Sequence, residues 1–382
     1  MRYTIAISVA FSFLLQSKGP KQDYKLLRFA NGIEIAIPDL LNEAAKIEAQ
    51  NLAKNKVVSS IVCRNSSKSY SAQETCAWQL GKQPVAQQLP SIYTSGQKTK
   101  LILEDGTVIN TILHKRKDAK TLVFVAHGFR DNLTTFAPFL WICEHASVVF
   151  FDFRGHNLFN QPQNSRGKLS KKLMGFDAQA SCFGAKEEQE VIAVVDYYKK
   201  LLAEEHYEKI VGIGCCFGAA MLVKAQTQCP NLFTHLVLDS LWPKLSLLAE
   251  KFLSNPYLFI RPRQERKGIL AWILSYPVAR KSLELFLEWI LFGKKFTFEL
   301  DLCALLQKIT VPTFFVYGKH DALIRPQEFE MLWNSVKHSQ KYAFINNSKH
   351  LLTFLQHREL LKVLISAFLN EELAKYGASV IK

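Results

Sequence analysis

Residues 209–225 read KIVGIGCCFGAAMLVKA. An apolar run ends at Gly214, a second one starts at Ala219, and the motif GCCFG (214–218) lies between them. The first run predicts a buried strand and the second a helix. Because glycines stand two positions before and two positions after Cys216, the strand and the helix can approach closely there. The stretch therefore predicts a sharp strand–turn–helix bend with Cys216 at its tip.

On both sides of this bend, short apolar segments recur along the chain, separated by helical stretches. They are Leu122–Ala126, Val148–Asp152, Ile210–Gly214, Leu236–Asp239, Thr313–Tyr317 and Tyr342–Ile345. Continuous apolar strands that alternate with helices predict an α/β fold, with a mostly parallel central sheet covered by helices on both faces. Asp105-Gly106 predicts an antiparallel hairpin before the first of these segments, and Asn31-Gly32 predicts another hairpin within Leu26–Ile37.

The remaining sequence divides around this core. We predict a core of residues 100–240 and 308–382, an N-terminal extension of 18–99, and a helical cap inserted at 241–307. The inserted segment is longer than one crossover helix requires, and 269–292 carries aromatic and aliphatic side chains at helical spacing. Such a face either packs against the core, lines an acyl pocket or meets lipid. Nine basic residues against five acidic ones between Arg261 and Lys308 would suit association with an anionic membrane surface.

The first residues predict a signal peptide over 1–17. Arg2 precedes the apolar stretch TIAISVAFSFLL (4–15), and Gln16-Ser17-Lys18 is a tolerable cleavage region. The stretch is too short for a comfortable membrane span. A first buried strand or a membrane-surface anchor is the competing interpretation. Export is therefore the expectation, and a cytoplasmic location is the alternative.

Composition narrows the class of protein. The chain has 382 residues, 48% of them hydrophobic and 12% aromatic, which is typical of a folded protein. Lys and Arg outnumber Asp and Glu by 48 to 33, but the charge is spread along the chain and no nucleic-acid-binding motif is present, so nucleic acid is not an expected partner. The eight cysteines form no CxxC pair and no Cys/His metal spacing, so no metal is expected. Cys63 and Cys76 could form a disulfide if the protein is exported.

Two further residues complete a nucleophile–acid–base order along the chain. Asp321 follows Thr313–Tyr317, and His350 follows the last apolar strand. A carboxylate that holds an imidazole, which in turn takes the proton of a thiol, is a common way to activate a cysteine. We therefore predict a triad of Cys216, Asp321 and His350. His320 is a weaker candidate for the base, and Asp239 is the reserve candidate for the acid.

A loop that stabilises negative charge is predicted at His127-Gly128-Phe129, directly after the Leu122–Ala126 strand. The backbone N–H groups of Phe129 and Phe217 are expected to converge on the oxyanion that develops during attack on a carbonyl. His127 itself is interpreted as a structural turn residue. This chemistry is complete in itself, so neither an organic cofactor nor a metal is implied.

With these residues in place, the sequence resembles the α/β-hydrolase superfamily, and most of all its serine-aminopeptidase-like and Bem46-like hydrolases. The likeness covers roughly residues 100–370. It lies in His127-Gly128-Phe129, Asp152-Phe153-Arg154-Gly155-His156, the motif at 214–218, Leu238-Asp239-Ser240, Tyr317-Gly318-x-x-Asp321 and His350. The resemblance implies an α/β-hydrolase fold, into which the cap predicted above is inserted. A cysteine stands where these enzymes usually have serine, and in this the chain resembles dienelactone hydrolases and polyhydroxyalkanoate synthases.

Three functions are compatible with these residues. The leading hypothesis is a hydrolase that cleaves an ester or a thioester of a small, apolar acyl substrate through an acyl-Cys216 intermediate. An acyltransferase would use the same intermediate with an acceptor other than water. A non-catalytic protein that binds ligands or partners is the third hypothesis, and the loss of serine at position 216 motivates it.

Overall fold

A computed structural model describes residues 25–29, 34–37, 96–129, 131, 139, 141–156, 184–254, 282, 300–371 and 373. Several predictions concern residues outside these ranges: the signal peptide over 1–17, most of the cap, and the disulfide between Cys63 and Cys76. Among the helices of the described ranges, none is both long and apolar enough to cross a membrane.

Ten strands of the described residues form one sheet. They are β1 Lys25–Phe29, β2 Glu34–Ile37, β3 Gln97–Ile102, β4 Val108–His114, β5 Thr121–Ala126, β6 Ser147–Phe151, β7 Lys209–Cys215, β8 His235–Asp239, β9 Thr313–Gly318 and β10 Lys341–Asn346. The order across the sheet is β2-β1-β10-β9-β8-β7-β5-β6-β4-β3. The six strands from β10 to β6 are parallel, and an antiparallel pair flanks them on each side. The predicted fold class is confirmed.

Helices cover both faces of this sheet. They are α1 Glu187–Leu201, α2 Phe217–Gln228, α3 Leu245–Ser254, α4 Leu302–Leu306, α5 Pro326–Ser335, α6 Thr353–Gln356 and α7 Arg358–Leu369. Alternate strand residues belong to different cores: Phe124 packs with α1 and α2, whereas Val125 packs with α7 on the other face. Because side chains of a strand alternate between faces, a strand buried on both sides must be apolar throughout.

The N-terminal hairpin predicted within Leu26–Ile37 is present, and it extends the main sheet. Strand β1 pairs antiparallel with β10, so that Leu27 lies opposite Phe344, and β2 forms the outer edge. Leu27 is fully buried. This part of the predicted extension is thus packed into the hydrophobic core. Nothing in the local sequence indicated this partner, since β10 lies more than 300 residues further along the chain.

The inserted segment begins and ends side by side. Lys244 and Asp301 form an antiparallel bridge, the N–H of Leu245 donates to the carbonyl oxygen of Leu300 at 3.0 Å, and that of Leu302 donates to Pro243 at 2.8 Å. We call these residues, 243–245 and 300–302, the insertion neck. A salt bridge of 2.7 Å between Lys244 Nζ and Asp301 Oδ2 reinforces it. The cap predicted over 241–307 stays a prediction.

Candidate active site

Cys216 occupies the bend predicted between β7 and α2. Its backbone has φ 50° and ψ −104°, a strained conformation for a residue with a side chain. A Cβ atom on Gly214 would lie 2.5 Å from the Cα and N atoms of Ala219, and one on Gly218 would collide with the carbonyl oxygen of Ala126. The glycine spacing is therefore a steric requirement of the bend. The strain is held in place by the N–H of Cys216, which donates to the carbonyl oxygen of Asp239 at 2.8 Å.

The structure brings Cys216, Asp321 and His350 together. His350 Nδ1 lies 2.7 Å from Asp321 Oδ2, and the side chain of Cys216 is near enough to the imidazole to interact with its charge. All three residues are buried. The second carboxylate oxygen of Asp321 accepts the N–H groups of Leu323 at 2.7 Å and Ile324 at 3.0 Å, which fixes the orientation of the carboxylate.

The surroundings favour the charged form of His350. Burial alone would lower the pKa of the imidazole. The negative charge of Asp321 and the interaction with Cys216 outweigh burial and raise the pKa of His350 well above its usual value. An imidazolium at this position is the partner that a thiolate at Cys216 needs. The weaker base candidate, His320, is exposed at the surface.

The two residues predicted to supply the oxyanion donors contact each other through their rings. Phe217 is the first residue of α2, so its N–H has no acceptor within the helix. Phe129 lies in the turn after β5, and its ring packs edge-on against the Phe217 ring with centroids 5.8 Å apart. Phe153 also contacts Phe217, at 5.4 Å, and His156 contacts Phe129 at 5.7 Å. Aromatic side chains thus surround this part of the site.

His127 fixes the peptide that carries the Phe129 N–H group. Its Nε2 atom accepts the N–H of Phe153 at 3.1 Å, so the proton is on Nδ1, which donates to the carbonyl oxygen of Gly128 at 2.7 Å. Burial and the neighbouring His156 lower the pKa of His127 well below its usual value, which keeps the ring neutral. Because a trans peptide is planar, a fixed Gly128 carbonyl directs the Phe129 N–H in the opposite direction.

Asp131 is a site residue that the sequence analysis missed. Its N–H donates to the carbonyl oxygen of Gly128 at 3.1 Å, and its carboxylate lies so close to Gly128 that a Cβ atom there would be 2.8 Å from Asp131 Oδ2. Burial raises the pKa of Asp131 to about 6, against the opposing effect of the His350 charge. The only sequence signal was an acidic residue three positions after Gly128 in a turn, which is an ordinary place for an aspartate.

The reserve acid Asp239 lies beside the triad but does not replace Asp321. The hydroxyl of Ser240 donates to Asp239 Oδ1 at 3.0 Å and accepts the N–H of Leu351 at 3.3 Å. Like Cys216, Ser240 and Leu351 have positive φ angles, of 53° and 59°. The strand ends β7 and β8 are thus cross-linked to the His350 loop. Within the described residues, no group of three or more His, Cys, Asp or Glu side chains is arranged to hold a metal ion.

Comparison with solved structures identifies the architecture. The esterase Pf2001 from Pyrococcus furiosus superimposes with a TM-score of 0.52 and 18% identity over 76% of this chain and 97% of that chain. A second crystal form of the same enzyme gives a TM-score of 0.53 and 18% identity over 76% and 96% of the two chains.

The chain has the α/β-hydrolase fold. No protein-family model matches the sequence, and no curated protein matches it either. At 18% identity the likeness to the esterase shows the fold alone. In the α/β-hydrolase fold, catalytic groups come from loops at the carboxyl ends of the strands, in the chain order nucleophile, acid and base. Cys216, Asp321 and His350 follow β7, β9 and β10 in that order.

Proposed function

We propose that this protein is a hydrolase that cleaves an ester or a thioester through a covalent acyl-cysteine intermediate on Cys216. The observation that carries the proposal is the hydrogen bond between His350 Nδ1 and Asp321 Oδ2 at 2.7 Å, with the Cys216 side chain near enough to act on the same imidazole. A nucleophile beside a base that is itself held by a third group is the arrangement that covalent catalysis requires.

In the first half of the reaction, the thiol proton passes to His350 and the sulfur attacks the carbonyl carbon of the substrate. The carbonyl π electrons move to the oxygen, and the N–H groups of Phe129 and Phe217 stabilise that oxyanion. When the tetrahedral intermediate collapses, the bond to the leaving group breaks and His350 returns its proton to the departing alcohol or thiol. The acyl group is then a thioester of Cys216.

In the second half, water attacks this thioester. His350 takes a proton from the water, a second tetrahedral intermediate forms, and its collapse releases the carboxylic acid and the Cys216 thiolate. Asp321 keeps the imidazole in one orientation throughout and stabilises its charged form. An acceptor other than water would give an acyltransferase with the same first half.

Hydrolysis of a short-chain nitrophenyl ester would test this proposal. The wild-type protein should turn over the ester, and Cys216→Ala should reduce kcat by about 10³-fold or more. Cys229→Ala is the matched control, because Cys229 is a half-buried thiol at the end of the same helix α2. Intact-mass analysis should show an acyl adduct on the wild type that is absent from Cys216→Ala. Turnover that survives in Cys216→Ala would exclude the mechanism.

Alkylation separates an enzyme from a non-catalytic binding protein. Burial raises the pKa of Cys143 to about 12 and that of Cys215 well above its usual value, so neither thiol should react readily. Cys216, paired with His350, should be alkylated by iodoacetamide much faster at neutral pH. Equally slow labelling of all three thiols would favour the binding protein.

We further propose that the acyl group is apolar. The aromatic cluster of Phe129, Phe153 and Phe217 beside Cys216 supports this preference. A series of nitrophenyl esters from acetate to octanoate should show kcat/KM rising with chain length. The preference fails if acetate is the best substrate. Export by the predicted signal peptide remains a separate proposal, tested by locating the protein in fractionated cells.

A further inference from the structure

A buried lysine lies next to the loop that presents Asp321. Lys251, on α3, is only 9% exposed, and its Nζ atom hydrogen-bonds Glu328 and the carbonyl oxygen of Leu323. Glu328, on α5, is 8% exposed and also accepts the N–H of Arg325 at 2.9 Å. Charged side chains are rarely buried, because removing them from water is costly. The reaction proposed above makes no use of either residue.

The connection from Lys251 to Asp321 runs through one peptide group. Leu323 contributes the carbonyl oxygen that Lys251 holds, and Ile324 contributes the N–H of the same peptide, which donates to Asp321 Oδ1 at 3.0 Å. A trans peptide is planar, so fixing its C=O also fixes the opposite direction of its N–H. An ammonium bound to the carbonyl also polarises the peptide and strengthens the N–H as a donor.

We propose that Lys251 is a positioning residue, which holds the Leu323–Ile324 peptide so that its N–H group points at Asp321 and thereby fixes the carboxylate that orients His350. The inference rests on the proposed function, because it assigns a role in the same triad. It also gives the inserted segment a connection to the chemistry, since Lys251 lies between the insertion neck and the central part of that segment.

Electrostatics supports this geometry. The positive charge of Lys251 interacts with Asp321 as well as with Glu328. Burial lowers the pKa of Lys251, whereas the two carboxylates act to raise it. Lys244, seven residues earlier, offers a contrast. It pairs with Asp301 at 2.7 Å in the insertion neck, but both side chains are about one-third exposed or more, and neither hydrogen-bonds the Asp321 loop.

The proposal is tested by the deshielded proton of the His350 Nδ1–H group in NMR spectra, together with ester kinetics. In Lys251→Met this proton should broaden or shift in the direction seen in Asp321→Asn, and it should be unchanged in Lys244→Met. In the same variant kcat should fall about 10-fold with KM nearly unchanged. A His350 signal that is identical in wild type and Lys251→Met would overturn the proposal.

A mutant cycle separates positioning from general destabilisation. Asp321→Asn already removes the carboxylate on which Lys251 acts, so adding Lys251→Met to it should change kcat by less than about twofold. A further loss of about 10-fold in that background would mean that Lys251 acts elsewhere, and the inference would be wrong. The double variant Lys251→Met/Glu328→Gln leaves no unpaired buried charge. It replaces Lys251→Met in these measurements if the single variant fails to fold.

The two proposals fail in different ways. A wild-type protein that neither turns over esters nor alkylates rapidly at Cys216 would refute the hydrolase. The NMR comparison would still report whether Lys251 fixes the Asp321–His350 pair. Conversely, the wild-type enzyme could be active while the His350 proton signal and kcat are unchanged in Lys251→Met. That result would support the proposed function and refute the role of Lys251.

Discussion

Asp239 is a carboxylic acid buried among other charges. Its side chain accepts one hydrogen bond, from Ser240, and the groups that act on it electrostatically are His350 and Asp321. Its Oδ2 atom is buried without a hydrogen-bond partner. Burial raises the pKa of Asp239 from 3.8 to about 7, because an anion there would lose its hydration.

This shift predicts how stability depends on pH. The folded state binds the Asp239 proton more tightly than the unfolded chain does, so this residue makes the protein less stable as the pH rises from about 4 to about 7. Asp239→Asn cannot ionise and its amide oxygen can still accept from Ser240. As the pH rises across that range, the free energy of unfolding of the variant, measured by urea denaturation, should increase relative to that of the wild type by up to about 4 kcal/mol. A difference that does not vary with pH would contradict the shift.

At the scale of single residues, the sequence predicts groups that stand at strand ends and fails for groups that act across the fold. Cys216, Asp321 and His350 each follow an apolar strand, so their meeting could be foreseen. Lys251 could not, because its partners Leu323 and Glu328 are 72 and 77 residues away and it sits within an ordinary amphipathic helix.

The β7–α2 connection is the element on which the site depends. Helix α2 begins at Phe217, immediately after the strained Cys216, and packs so closely on β5 that Gly218 touches the backbone of Ala126 and His127. A side chain at position 218 cannot be accommodated by rotating a neighbour, because the atoms in the way are carbonyl groups. Strand, bend and helix therefore form a single rigid unit.

Gly218→Ala should disrupt that unit. The added methyl group must push α2 away from β5, which should cost about 3 kcal/mol of stability and lower kcat, because Cys216 and the Phe217 N–H move with the helix. Ala219→Gly, at the next position of α2, removes a methyl group and should cost only about 1 kcal/mol. The measurements are urea denaturation and ester turnover. Equal effects of the two variants would contradict the close approach.

Across the whole molecule, strand β1 near the start of the chain is joined to helix α5, which follows about 300 residues later. Arg28, on β1, donates to both carboxylate oxygens of Glu330 at 2.6 and 2.8 Å. Its guanidinium also lies 5.7 Å from the ring centroid of Phe329 and 5.6 Å from that of Trp333. Arg28 and Glu330 are 302 residues apart, and one arginine thus links β1 to α5.

Arg28→Met should therefore destabilise the whole sheet. Losing the ion pair and the two ring contacts should lower the free energy of unfolding by about 2 kcal/mol. Lys120→Met is the control, since Lys120 pairs with Glu208 at 3.2 Å with both side chains more than 60% exposed, and it should change stability by less than about 0.5 kcal/mol. Thermal denaturation measures both. Equal stabilities for the two variants would mean that β1 is not anchored through Arg28.

The long separation in sequence between β1 and its partners explains why their contacts could not be predicted from the sequence. Alternating residues and Asn31-Gly32 predict the first hairpin, because both signals lie within a dozen positions. The pairing of β1 with β10 joins two segments that are far apart in the sequence, and the hydrophobic pattern of a strand does not indicate which distant strand it pairs with. The parallel direction of the central strands followed from their alternation with helices, because strands joined by such crossovers run in the same direction.

At the insertion neck, the two ends of the segment between residues 245 and 300 lie beside each other and are joined by hydrogen bonds. A segment of this kind could be lengthened, shortened or replaced during evolution without a change in the order of the strands. It is therefore a place where substrate preference could diverge between descendants of one protein. An engineer could use the same junction to graft loops from other enzymes onto this core. A successful graft would have to bring its own ammonium group to the position of Lys251.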